Sequence, residues 1–164
     1  MWQSEMGTIV RHLVNDTDSD NYTYPDNRIE TTILVAAQLV STEIDFEQTY
    51  TVNVDSFTLS PDPTDSSAKD DGFINMVSLK AACIILGSEY KTHSLSSIRV
   101  TDGPSTIDMA GIATNFKSLW QDLCSRYEQY KLNYIASNGN TGEAVLSPFG
   151  SYWSSRNARY NGLR

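Results

Sequence analysis

The chain has 164 residues, 40% of them hydrophobic and 20% charged, with a formal net charge of -8. That length suits one folded domain burying roughly two thirds of its unfolded surface, and that composition is too apolar for a disordered chain. The acidic balance argues against nucleic-acid binding by the body of the protein, because duplex affinity rests on Lys and Arg neutralising phosphates.

The first element in chain order is a short helix over about Trp2 to Leu13, with Met6, Ile9, Val10 and Leu13 sharing one face. Its start has no basic segment followed by an apolar run, and no stretch of 18 apolar residues occurs anywhere, so neither a secretory signal nor a membrane span is expected. The acidic linker "DTDSDNYTYPDN" opens like a calcium loop, with Asp16, Asp18 and Asp20 at alternate positions. Asn21 and Asn27 stand where that pattern needs Gly and Glu, so turn formation and capping are the better reading, and no metal is expected.

A longer helix begins near Pro25, with Ile29, Ile33, Ala36, Ala37, Val40 and Ile44 as its buried stripe. "TYTVNVDSFTL" then alternates as a strand near 48–60, with a phase shift that predicts a bulge or bend at Asp55 and Ser56. The loop "SPDPTDSSAKDD" leads to a helix over about Asp71 to Tyr90, apolar almost all round apart from Lys80 and therefore the central one. Adjacent Asp70 and Asp71 suit a helix start better than acid-base chemistry, which needs two carboxyls facing one shared atom.

A hairpin near 97–108 follows, turning at Asp102-Gly103. The last helix spans about Met109 to Ile135, with Ile112, Phe116, Leu119, Trp120, Leu123, Tyr127, Tyr130 and Tyr134 along one side. It would be about 40 Å long, more than a core this small can cover, so its far end is expected to meet another chain. Tyr127, Tyr130 and Tyr134 are the candidates for that subunit interface, where an amphipathic ring buries its body and bonds through its tip. Cys83 and Cys124 lie in apolar helical patterns and are expected to pack as small hydrophobes without a disulfide.

Charge divides the chain. Residues 1–135 hold nine Lys/Arg against nineteen Asp/Glu, while residues 136–164 hold Arg156, Arg159 and Arg164 against Glu143 alone. The break coincides with the Gly- and Pro-containing stretch "ASNGNTGEAVLSPFG", so a helical body over 1–135 and an extended arm over 136–164 are expected. The fold class is mainly α: a bundle of three to four helices with a minor β element and a C-terminal tail.

No catalytic constellation appears. His12 and His93 stand in no metal-ligand pattern, "KTHSLSS" lacks a Gly-flanked nucleophile elbow, and no glycine-rich phosphate loop occurs, so neither enzyme activity nor a cofactor is expected.

The order of these elements resembles the head-tail connector (adaptor) proteins of tailed bacteriophages over about residues 5–135. The matching parts are "TYPDNRIETTILVAAQLVSTEI" with its "AAQLV" stretch, "DDGFINMVSLKAACIILGSEYKT", and "IRVTDGPSTID" running into a long amphipathic helix. The segment between 48 and 70 looks longer than in the smallest members.

The resemblance implies a virion protein, made in the host bacterial cytoplasm, that forms a ring of typically twelve copies at the capsid-tail junction. Its partners would be the portal protein, neighbouring copies of itself and the next neck or tail protein, with DNA passing through without specific binding and no membrane involved. In that family the C-terminal segment wraps the portal. Phe149, Tyr152, Trp153 and Tyr160 would then be aromatic anchors, and Arg156, Arg159 and Arg164 would meet acidic groups. A stopper or tail-completion ring is the near alternative. A nucleic-acid module using the arm for stacking is the more distant one.

Overall fold

The computed structural model describes residues 1–95, 99–102, 105–108 and 110–138. Among these residues four helices carry the fold: α1 (Trp2–Leu13), α2 (Asp26–Glu43), α3 (Asp71–Leu95) and α4 (Ala110–Asn138). Two short antiparallel hairpins accompany them, β1 (Thr51–Asn53) with β2 (Thr58–Ser60), and β3 (Arg99–Asp102) with β4 (Ser105–Asp108). The chain divides into two units, Met1–Lys131 and Leu132–Arg164.

Local chemistry explains where the helices stop and start. At the end of α1, Asn15 takes a left-handed conformation (φ 59°), which Asn tolerates better than most residues. Its N–H donates to the His12 carbonyl and that of Asp16 to the Arg11 carbonyl, the double bond of a Schellman turn. Pro25 is the N-cap of α2, one place earlier than the first helical turn, and its carbonyl accepts from the Arg28 N–H. Asp70 caps α3 as its position predicts, accepting from the Phe73 N–H at 2.9 Å with one carboxylate oxygen and from the Tyr50 hydroxyl at 2.9 Å with the other.

The core lies among α1, α2 and α3. Every residue of the predicted α2 stripe is buried, together with Leu34. Met6 and Val10 of α1 face it, joined by Trp2, while Ile9 and Leu13 are only half-buried. From α3 come Phe73, Ile74, Met76, Val77, Ala81, Ala82 and Ile85, which makes it the central helix. By length and composition α3 could cross a membrane, and here just over half of its apolar window is buried inside the protein. It continues to Leu95, because "KTHSL" contains neither Gly nor Pro to end it.

Two expectations need correcting. The segment 48–60 is not one bent strand but a hairpin: Val52 pairs with Leu59 and the chain reverses through 54–57, with Phe57 at φ 55°. The phase shift in the sequence marks a reversal of direction. Cys83 and Cys124 are not free thiols but a disulfide, because α3 and α4 run antiparallel and bring the two Cα atoms to 5.3 Å, a separation that a disulfide spans.

The β3–β4 hairpin forms where the turn signal put it, pairing Asp102 with Ser105; Gly103 lies outside the described residues.

Candidate functional site

Two polar clusters tie the helices together. In the first, Arg11 is buried, although it stands on the basic last turn of an amphipathic helix. Its guanidinium pairs with Asp16, donates to Asp26 at 2.6 Å and to the Tyr24 carbonyl at 2.9 Å, and covers the Tyr22 ring. Asp16 is buried too, and it also accepts from the backbone N–H of Thr23 and Tyr24. The acidic linker is thus folded around an arginine. Among the described residues no group of His, Cys, Asp or Glu is arranged to hold a metal ion.

The second cluster centres on Glu43, the last residue of α2. One carboxylate oxygen accepts from Lys80 of α3 at 2.9 Å; the other accepts from the Tyr127 hydroxyl at 2.6 Å and from Lys131 at 3.0 Å, both on α4. Lys80 also lies over the Tyr127 ring, 4.4 Å from its centre. This is the role of the single charge inside the apolar α3 pattern: it reaches the edge of the core and ends on a carboxylate. Desolvation pushes the Glu43 carboxyl upward, but the hydrogen bonds from Tyr127, Lys80 and Lys131 together outweigh it and bring its pKa from 4.5 down to about 2. Burial and the bond to Glu43 push the Tyr127 hydroxyl well above its ordinary range. At neutral pH the tyrosine therefore keeps its proton and the carboxylate stays ionised, an arrangement that holds three helices together.

Between these clusters α3 and α4 meet along a regular antiparallel seam. Lys80 faces Tyr127, Cys83 is bonded to Cys124, Gly87 receives the Trp120 indole, Tyr90 stacks on Trp120, and His93 stacks on Phe116 with ring centres 4.6 Å apart. Ala82, Leu86 and Leu123 form a small apolar cluster under it. An open groove of about 550 Å³ runs beside the seam, walled by the end of α1 and by α4, with Leu119 on its border.

The structure separates the predicted interface tyrosines. Tyr127 is 1% exposed and belongs to the chain's own core, so it is not a surface for another subunit. Tyr130 is half-buried in the first unit, and Tyr134 is half-buried in the second. Leu119, on the same predicted side of the helix, is 54% exposed. The proposed arm residues Phe149, Tyr152, Trp153, Arg156, Arg159, Tyr160 and Arg164 lie outside the described residues.

Glu43 and Arg11 were not legible as linchpins. Each reads as an ordinary charged residue at a helix end, and only the convergence of distant partners distinguishes it. Comparison with family models, with curated proteins and with solved structures finds no match to this chain.

Proposed function

We propose that this protein is a structural ring component of a tailed-bacteriophage virion, a connector between the portal and the tail, and not an enzyme. The observation that carries the reading is the state of α4 between Thr114 and Lys131, where only Leu123 and Tyr127 are buried and Leu119 is left exposed beside an open groove. A helix with so little of its surface covered by its own chain suits a head-to-tail contact with a neighbouring copy, as in a closed ring. The mainly helical fold, with its hairpin leading into the long helix, is the arrangement on which the resemblance to connector proteins rests.

Charge supports the same reading. A ring of copies, each at -8, would surround DNA with a surface that repels phosphate and lets the duplex slide. The basic, aromatic residues 136–164 would bind the portal, with Phe149, Tyr152, Trp153 and Tyr160 as anchors and Arg156, Arg159 and Arg164 as their charged partners. Tyr130 and Tyr134 remain the tyrosines for the contact between copies, and Leu119 joins them.

Deleting residues 137–164 should leave the helical body folded by circular dichroism and abolish co-sedimentation with portal. Undiminished co-sedimentation would sink the portal assignment. Electron microscopy of the protein with portal should show rings beneath the portal. Salt-dependent binding of DNA by the isolated chain would favour the nucleic-acid alternative instead.

A further inference from the structure

Within the first unit, α4 is attached differently from the other helices. Its buried contacts there are Leu123 and Tyr127; Phe116 and Trp120 are only half-covered. The Cys83–Cys124 bond sits in the middle of the seam, between the Lys80–Tyr127 pair and the Gly87–Trp120 contact. It closes a sequence separation of 41 residues. Both cysteines are half-buried, whereas Met76 and Ile33 are fully buried. The residues that hold α1, α2 and α3 together make no use of the bond.

We propose that the Cys83–Cys124 bond is a redox-operated clamp: oxidised, it holds the 114–124 part of α4 along α3, and reduced, it lets that part leave α3 while α1, α2 and α3 stay folded and Glu43 still fastens Tyr127 and Lys131. The reductant is a dithiol. One of its thiolates attacks a sulfur of the bond, giving a mixed disulfide and releasing the other cysteine. Its second thiol then displaces the remaining cysteine, so that the reductant departs as a cyclic disulfide. Two electrons and two protons pass to the protein, leaving Cys83 and Cys124 as thiols.

Release of the 114–124 part uncovers Ala82, Leu86 and the Trp120 side of Gly87, and widens the groove bordered by Leu119. Reoxidation by a small disulfide reverses each step. The inference rests on the seam and holds whether or not the chain belongs to a virion.

Hydrogen exchange on the 164-residue chain tests it, comparing the protein oxidised with a cyclic disulfide and reduced with dithiothreitol, without denaturant. On reduction, amides between 114 and 124 should lose about tenfold in protection, while those around Ile33 and Met76 change by less than about twofold, because local opening and global unfolding are separate processes. Cys83→Ser/Cys124→Ser should behave like the reduced protein in both buffers, and reoxidation of the natural chain should restore protection. Equal protection of 114–124 in the two states would overturn the clamp. So would an equal loss in all four helices, which would make the bond a staple for the whole fold, or two free thiols persisting after oxidation.

Discussion

The helices α1, α2 and α3 are held by burial around the buried Arg11 cluster, whereas the 114–131 stretch of α4 is held mainly by separate links. Met6, Val10, Ile33, Leu34, Val40, Met76 and Val77 are each fully covered, and their contribution scales with area and does not depend on any single contact. The α4 stretch has Leu123, Tyr127, one disulfide, one aromatic seam and the Glu43 cluster. One sequence can therefore carry a body that resists change and a helix whose attachment a few groups control. The contrast predicts that damage to the first region spreads through the whole chain, and damage to the second stays local.

The largest effect should come from Arg11. Its side chain and that of Asp16 are 8% and 3% exposed, so removing the guanidinium leaves a buried carboxylate without its counter-charge. Asp16 cannot swing out to water, because Thr23 and Tyr24 also donate to it. Arg11→Met should cost about 3–5 kcal/mol in urea unfolding, with all four helices melting in one transition. Adding Asp16→Asn should recover part of that loss. A cost under about 1 kcal/mol would show that the linker does not depend on this knot.

Gly87 probes the second region. A Cβ built there would lie 2.9 Å from Nε1 of Trp120, and that indole is already stacked on Tyr90. Gly87→Ala gains about 1 kcal/mol of helix propensity. Displacing a rigid ring costs about 1–3 kcal/mol, so a net loss of about 1 kcal/mol is expected. The loss should appear as a shifted tryptophan emission and weaker exchange protection in α4, with α2 unchanged. A uniform loss across the helices would break the proposed division.

The same contrast explains what the sequence could disclose. Periodicity reports which face of a helix is apolar, and that sufficed for Met6 and Val10 of α1 and for the whole α2 stripe, because these residues look into the chain's own core. It does not report what covers the face. Tyr127 and Leu119 stand on one predicted stripe, yet one is in the core and the other is exposed. Pairings between distant segments were equally hidden: Val52 with Leu59 looked like one bent strand, and Cys83 with Cys124 became visible only with the antiparallel register of α3 and α4. The pairing of 99–102 with 105–108 was legible because the turn signal and the two strands are adjacent in sequence.

An effect of similar size, and one that vanishes at low pH, tests the junction between the regions. Glu43 belongs to α2, yet it holds Lys80 of α3 and Tyr127 and Lys131 of α4, and these bonds lower its pKa from 4.5 to about 2 against the opposing cost of desolvation. The folded carboxyl therefore releases its proton more readily than the unfolded one. Its stabilisation is fully present above about pH 4.5 and drains away as pH falls towards 2. At full value the shift would be worth about 3 kcal/mol. With the Glu43 side chain 30% exposed, water screens much of this, and about 1 kcal/mol is expected. Glu43→Gln should thus lower the melting temperature by a few degrees at pH 7. The two proteins should converge as pH approaches 2, because the natural chain then carries a neutral Glu43 as well. A gap as wide at pH 2 as at pH 7 would mean that Glu43 acts by shape and hydrogen bonding, and that charge does not fasten α4 to the core.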